Sequence, residues 1–170
     1  MKLLKIFSLY VCFLFSLYGV SQKSTKNPCD AEVYAQFNFW AGSWNVYNTD
    51  DKLIGTNRVV KLQNNCLLQE NWESKTSASK GTSYNYYNRP DKTWNQIWVD
   101  NSGYSLRLKG VFIDGKMVLK SDPVKNKNGT YYHQITWSKK KDGSVHQIWT
   151  HIGTDGNIVK ELFRGIYKKK

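Results

Sequence analysis

The chain lacks the motifs that mark the commonest enzyme classes. No His-Glu-x-x-His, Gly-x-Ser-x-Gly, Cys-x-x-Cys or glycine-rich phosphate loop occurs in it, which argues against metalloprotease, serine hydrolase, dithiol oxidoreductase and nucleotide-binding chemistry. Cysteine and proline are scarce, with three residues each. No apolar run reaches the ~20 residues of a membrane-spanning helix. The sequence after Trp40 also lacks a 3.6-residue apolar period, which argues against a helical domain.

Acidic residues are few as well: 13 Asp and Glu stand against 25 Lys and Arg, a formal net charge of +12. Aromatic residues are abundant instead, at 15% of the chain with seven Trp, and 40% of all residues are hydrophobic. This apolar content excludes an intrinsically disordered chain. A length of 170 residues supports one hydrophobic core, so we expect a single domain.

Residues 1–21 have the pattern of a secretory signal peptide. Lys2 and Lys5 open the segment, an apolar run follows over residues 6–18, and small residues precede a cleavage site after Ser21. An uncleaved anchor is the alternative. Cleavage removes two lysines, which lowers the net charge from +12 to +10. The sequence thus predicts a mature domain over residues 22–170 that is exported to the periplasm or secreted.

The cysteine count permits one disulfide in that domain. Cys12 leaves with the signal peptide, so only Cys29 and Cys66 remain. An oxidising compartment favours their pairing, which would stabilise the fold by about 4 kcal/mol in the chain-entropy model. Two buried free thiols are the alternative.

Turn signals recur about every ten residues after Gly42, and runs rich in Val, Ile, Thr, Tyr and Trp lie between them. The turns fall at residues 48–52, 63–65, 76–81, 89–92, 101–103, 114–115, 123–129, 139–143 and 155–156. They delimit about ten strands, preceded by one short helix within residues 31–39. We therefore predict an all-β fold, an antiparallel up-and-down meander closed into a barrel, with a two-sheet sandwich as the alternative.

The meander predicts which turns share an end of the barrel. Strand one leaves the helix end and strand two returns to it, which places the 63–65 turn, and Cys66, near Cys29. The loops at 76–81 and 123–129 then lie together at the opposite end. We expect these loops to form the mouth of a cup that the helix plugs at its base.

Hairpin pairing predicts which side chains share a face, because paired residues point to the same side of a sheet. A three-residue turn at 63–65 puts Arg58 opposite Glu70. This predicts a structural ion pair; without Arg58, a Glu70 desolvated beside Trp72 would have a raised pKa and could act as an acid or base. The other hairpins place Asn85 opposite Gln96.

The hairpin at 139–143 places His133 opposite Trp149, with His151 offset diagonally near the mouth. Either imidazole could ligate a metal or a haem iron. An ordinary hydrogen-bonded or partly exposed histidine is the alternative, because no third ligand converges by spacing.

We interpret the shared face as a barrel lumen that binds a flat or amphipathic small molecule, since aromatic rings supply contact area and amides fix polar atoms. A lumen filled by its own side chains is the alternative. The predicted lumen residues are Arg58, Glu70, Trp72, Asn85, Tyr87, Gln96, Trp98, His133, Gln147 and Trp149.

Two lysine clusters, residues 139–141 and 168–170, would both lie at the closed end of the barrel. Such a basic patch could meet an anionic membrane surface or polysaccharide, or it could serve only as a solvated surface. We do not expect a nucleic-acid partner for an exported barrel.

The segment from Phe37 to Trp44 carries a Gly-x-Trp at the start of the first strand. It resembles the opening signature of lipocalin-like (calycin-type) barrels. The resemblance implies that Trp44 packs across the barrel base beneath a basic residue of the last strand, for which Arg164 and Lys169 are the candidates.

The chain resembles more closely an uncharacterised exported bacterial family of such barrels, whose signature begins Phe-x-Phe-Trp-x-Gly-x-Trp. The further matching residues are Cys66, Glu70 and Trp72; Ser83, Asn85 and Tyr87; Trp94, Gln96, Trp98, Val99 and Asp100. The resemblance covers nearly the whole mature chain and implies the fold rather than an activity. Together with the lumen, it makes a small-molecule-binding barrel the leading hypothesis, followed by a haem or metal site and by an enzyme using Glu70.

Overall fold

The computed structural model describes residues 27–127 and 129–170, so the predicted signal peptide lies outside the described residues. One short helix, α1 (Glu32–Ala35), lies between two 3-10 turns, Pro28–Asp30 and Asn38–Trp40. The strands are β1 (Gly42–Tyr47), β2 (Leu53–Leu62), β3 (Leu67–Ser74), β4 (Lys80–Asn88), β5 (Thr93–Asp100), β6 (Ser105–Ile113), β7 (Lys116–Lys120), β8 (Val124–Asn126), β9 (Gly129–Lys139), β10 (Val145–Gly153) and β11 (Ile158–Lys169).

The strands close into a ten-stranded antiparallel barrel. Each strand from β1 to β7 pairs with the next, β7 continues to β9, and β9, β10 and β11 lead back to β1. The short β8 pairs with β9 beyond the end of β7, so it extends an existing position in the ring. The predicted all-β up-and-down barrel is confirmed, and closure removes the exposed edges that invite aggregation.

The structure shortens the loop predicted at 123–129. Residues 124–126 pair with residues 129–131 as a small hairpin, rather than forming an open loop. This hairpin still lies at the end of the barrel opposite the helix, as the meander predicted.

Alternation of side chains along each strand separates the lumen from the outer surface. In β6, Leu106 and Leu108 are buried, whereas Arg107 and Lys109 between and after them are exposed. This period of two follows from the pleat, which sends successive side chains to opposite faces. Among the described residues, no helix has the length and apolar character needed to cross a membrane.

The N-terminal segment plugs one end of the barrel. Phe37 and Trp40 are fully buried and stack with ring centroids 4.9 Å apart. Phe37 also meets Trp94 and Trp137 edge-on, at 5.7 and 5.2 Å. The lumen at this end is therefore filled by aromatic rings, which supply large buried areas and favourable edge contacts.

Polar and covalent bonds hold the plug in place. The predicted disulfide is confirmed: Cys29 in the first 3-10 turn is bonded to Cys66 in the β2–β3 turn. The Trp94 indole donates to Gln36 Oε1 at 3.0 Å, and Arg89 Nε donates to the Tyr34 hydroxyl at 2.7 Å.

The Gly-x-Trp signature has a local explanation. Gly42 has φ +140°, a conformation that side chains disfavour, and an added Cβ would lie 2.5 Å from Lys169 Nζ. That ammonium lies 4.5 Å from the ring centre of the buried Trp44 and donates to the Ala41 carbonyl at 3.1 Å. Lys169 is therefore the basic residue over Trp44. Arg164 instead forms an ion pair with Glu161 on the surface.

Candidate ligand-binding cavity

A cavity of about 390 Å³ occupies the half of the barrel opposite the plug. Its walls are mostly apolar, its floor carries four polar side chains, and its rim is formed by the β3–β4 and β5–β6 loops. The predicted mouth loop at 76–81 is therefore confirmed, whereas the described residues of the 123–129 segment do not line the rim, and the β5–β6 loop takes that place. The lining residues are Ile54, Trp72, Trp98, Leu106, Ile135, Trp149, Leu162 and Phe163 on the walls; Glu70, Gln96, Gln147 and Tyr167 on the floor; and Ser74, Thr76, Ser77, Ser79, Asp100 and Tyr104 at the rim.

Two glycines shape the cavity wall. A Cβ added at Gly55 would lie 2.2 Å from the Trp72 ring, and one added at Gly81 would lie 2.1 Å from the Trp98 ring. Both indoles therefore lie flat against glycine backbone. Because no side chain intervenes, the rings rest against the wall instead of projecting across the lumen.

The floor is a hydrogen-bonded network around Glu70, which is only 5% exposed. Its two carboxyl oxygens accept from Asn57 Nδ2 at 2.6 Å and from Ser83 Oγ at 2.7 Å. Asn85 Nδ2 donates to Ser83 Oγ at 2.9 Å, and Gln96 Nε2 donates to Asn85 Oδ1 at 2.8 Å. The buried carboxyl is thus held in one position by side chains of β2 and β4.

Burial raises the pKa of Glu70 to about 7, and the hydrogen bonds from Ser83 and Asn57 lower it without offsetting the desolvation. Tyr167 donates to Gln147 Oε1 beside it. Burial, with a further contribution from the charge of Glu70, raises the pKa of Tyr167 well above its usual value. At neutral pH the floor therefore holds one carboxyl poised between its two protonation states and a neutral phenol.

The predicted Arg58–Glu70 pair is wrong. Glu70 lies opposite Val59, and Arg58 lies opposite Asn71 on the exposed outer face. The β2–β3 turn has four residues, 63–66, and its first three adopt positive φ, so the register moves by one residue. A shift of one turns every side chain to the other face, which leaves Glu70 without the expected cation.

The other two hairpins keep the predicted face. Asn85 lies opposite Gln96, as predicted. In the β9–β10 hairpin the five-residue loop begins one residue later than predicted, so His133 lies opposite His151 rather than Trp149. This moves the register by two residues, which changes the partner but not the face.

Nine of the ten predicted lumen residues therefore point into the barrel, although only six reach the cavity. The six are Glu70, Trp72, Gln96, Trp98, Gln147 and Trp149. Asn85 is buried beneath the floor, and Tyr87 packs against Tyr34 and Trp94 near the plug. Their role in binding a ligand remains a prediction.

The sequence prediction missed two groups of residues. Asn57 and Ser83 hold Glu70, and Gly55 and Gly81 seat the indoles. Pairing across a four-residue β2–β3 turn would have placed Asn57 and Gly55 on the inner face. Ser83 shares the parity of Asn85 along β4 and was detectable from that alternation alone.

His133 and His151 form a separate cluster on the inner face of the barrel. Their ring centres are 4.5 Å apart, and the Trp149 indole donates to His133 Nδ1 at 3.0 Å. His133 is therefore neutral, with its proton on Nε2. This agrees with the direction of its pKa, which is lowered first by burial and then by the charge of His151. Neither imidazole lines the cavity. In the part of the chain that the structure describes, no group of three His, Cys, Asp or Glu side chains is placed to hold a metal.

Neither the protein-family models nor the curated proteins give a match to this chain. The closed ten-stranded barrel with its aromatic cluster is compatible with the lipocalin-like fold. Membership of the exported family suggested by the signature stays a prediction.

Proposed function

We propose that the protein is an exported barrel that binds a small hydrophobic or aromatic molecule in its lumen. The observation that carries the proposal is the 390 Å³ cavity, with rings on its walls and a few polar groups on its floor. Small-molecule binding sites typically have volumes of ~300–1,000 Å³, with mostly apolar walls and a few polar groups that fix the orientation of the ligand. The rings supply contact area, and the floor amides and carboxyl orient the polar atoms of the ligand.

Two features support export to the periplasm or beyond. The Cys29–Cys66 disulfide is consistent with an oxidising compartment. Residues 1–21 have the charge and apolar pattern of a signal peptide.

The proposal is tested by binding of 1-naphthalenemethanol, followed by quenching of tryptophan fluorescence, to the mature chain. Leu106→Trp should abolish binding, because its added indole would occupy the cavity that Leu106 lines. Arg107→Trp adds the same indole to the exposed outer face of the same strand and should leave binding unchanged. Equal binding by the two variants would place the probe outside the lumen and count against the proposal. Native mass spectrometry of protein purified from its own compartment would then identify a retained ligand.

A second candidate function, proton transfer by Glu70, is favoured by its pKa of about 7, which suits a general acid or base near neutral pH. A flat carbon acid such as 5-nitrobenzisoxazole reports this capacity, because a carboxylate removes its ring proton as the N–O bond breaks. The rate should rise with pH around a midpoint of about 7 and be lost in Glu70→Gln. A rate that Glu70→Gln leaves unchanged rejects this function.

A further inference from the structure

The charged side chains that line the cavity are acidic. The protein has 25 Lys and Arg against 13 Asp and Glu. Yet among the described residues the cavity is lined by Glu70 and Asp100 and by no Lys, Arg or His. The charged side chains nearest to a guest in this cavity are therefore carboxylates, which attract a positively charged group.

Asp100 keeps its charge at the rim. Its Oδ1 accepts from the Ser102 hydroxyl at 2.6 Å and from the backbone N–H groups of Ser102 and Tyr104 at 2.9 and 3.1 Å. The Ser102 hydroxyl has the largest effect and lowers the pKa of Asp100; burial, the next effect, raises it, and the backbone N–H groups of Ser102 and Tyr104 lower it further, so the pKa is lowered overall. A cation entering the mouth therefore passes an ionised carboxylate first.

The walls present aromatic rings. Trp72, Trp98 and Trp149 line the cavity together with Phe163, whose ring meets that of Trp72 edge-on at 5.7 Å. Ring faces carry negative electrostatic potential, and a cation within ~6 Å of a ring centre is attracted to it, most strongly by tryptophan. Removal from water strengthens that attraction.

The carboxyl of Glu70 at the floor has hydrogen-bond acceptor capacity to spare. Each oxygen of Glu70 receives one donor, from Asn57 and from Ser83, and a carboxylate oxygen can accept more than one. Each oxygen of Glu70 can therefore take a further hydrogen bond from an N–H group of a ligand.

We propose that the cavity binds an organic ammonium ion, with the ammonium group against Glu70 and an apolar or flat body between the tryptophans. The inference rests on the proposed ligand-binding function and names its ligand class. Charge at the rim, charge on the floor, ring faces on the walls and unfilled acceptors all favour the same chemistry.

Binding of such a cation is coupled to a proton. The groups that face Glu70 are Asn57 and Val59 of β2, Ser83 of β4 and Tyr167 of β11, of which only Tyr167 titrates, and it is neutral. An ammonium ion favours the carboxylate form of Glu70, so binding near or below pH 7 releases a proton. Affinity for the cation should therefore rise between pH 6 and pH 8, around the Glu70 pKa of about 7.

Three probes that share one ring test the proposal: 1-naphthylmethylammonium, 1-naphthalenemethanol and 1-naphthoate, titrated calorimetrically into the mature chain. At pH 8 we expect the ammonium to bind about tenfold more tightly than the alcohol, and the carboxylate to bind most weakly. The preference should shrink at pH 6, and proton release, read from buffers of different ionisation enthalpy, should accompany ammonium binding.

Glu70→Gln should bring the ammonium-to-alcohol preference to within about twofold while the alcohol still binds. Glu73→Gln makes the same change on the same strand, at an outward position beside Lys75 and Lys80, and should keep the preference. The pH profile and proton release of the unmodified protein test the proposal even if Glu70→Gln fails to fold.

Alcohol binding that equals or exceeds ammonium binding overturns the cation proposal and leaves the proposed ligand-binding function standing. Tightest binding by 1-naphthoate overturns it as well. Failure of all three probes to bind overturns both the cation proposal and the proposed function for ligands of this size.

Discussion

The two halves of the barrel use the same residue type for opposite purposes. In the closed half, four tryptophans are buried among other rings: Trp40, Trp44, Trp94 and Trp137. In the open half, three are partly exposed and line the cavity: Trp72, Trp98 and Trp149. All seven tryptophans of the chain point into the barrel, yet only one half is filled.

The two halves differ in the residues that contact their tryptophan rings. Phe37 and Trp40 of the N-terminal segment enter the closed half and complete its packing. In the open half, Gly55 lies behind Trp72 and Gly81 lies behind Trp98, and both rings are held against the wall. A plug and two missing side chains therefore decide which half is core and which is cavity.

The largest expected effect comes from truncating a tryptophan in each half. Trp137→Ala removes a side chain with 0% exposure and should lower the free energy of unfolding by about 3–5 kcal/mol. Trp98→Ala enlarges an existing cavity, so its cost should be nearer about 1–2 kcal/mol. Urea denaturation of both variants measures the difference. Equal losses would mean that the open half is packed as tightly as the closed half.

The next effect tests the attachment of the plug. Replacing both cysteines, Cys29→Ser with Cys66→Ser, should lower stability by about 4 kcal/mol, since the 37-residue separation is no longer closed in the unfolded chain. Neither residue lines the cavity, so the folded variant should keep its affinity for 1-naphthalenemethanol. Thermal unfolding with reduced wild-type protein as the control checks the first expectation. A loss of binding by the folded variant would show that the plug shapes the open half.

A third prediction concerns the boundary between the halves, where Glu70 is buried. Its pKa is about 7 in the folded protein and 4.5 as an ordinary carboxyl, so the folded state holds a proton that the unfolded state loses. Stability should therefore fall as pH rises from 4.5 to 7 and level off above that. The contribution is on the order of 3 kcal/mol.

Glu70→Gln isolates this contribution, because the difference between the two proteins removes the other titrating groups. The variant should be the more stable protein at pH 8 and nearly equal to wild type at pH 4. Denaturation curves at several pH values measure the difference. A difference that does not depend on pH would mean that the pKa of Glu70 is the same in the folded and unfolded states.

The strands and their order could be predicted from the sequence because the turns carry strong local signals. Asp114 and Gly115, for example, occupy the two positive-φ positions of a tight hairpin. Ten strands with short connections leave few topologies other than a closed meander. The disulfide followed from the two remaining cysteines, and the meander topology placed them at the same end of the barrel.

Half of the site was harder to predict, because register depends on the number of turn residues. The Gln63, Asn64 and Asn65 run fits a three-residue turn as well as the observed four-residue one that adds Cys66. One residue of difference exchanges Arg58 for Asn57 in the lumen. The periodicity of the sequence could not predict whether the lumen is open, because that depends on how deeply Phe37 and Trp40 enter the barrel.

The smallest expected effect concerns the cation over the closed end. Lys169→Met keeps the apolar stem but removes the ammonium that lies 4.5 Å from the Trp44 ring centre and donates to Ala41. Cation–π attraction at an exposed site contributes ~0.5–1 kcal/mol, so we expect a loss of that size in urea denaturation. Lys170→Met makes the same change in charge and length at the neighbouring exposed position and should cost less. If the free energy of unfolding falls by the same small amount in both variants, Lys169 acts only through net charge, and its ammonium does not stabilise the Trp44 ring.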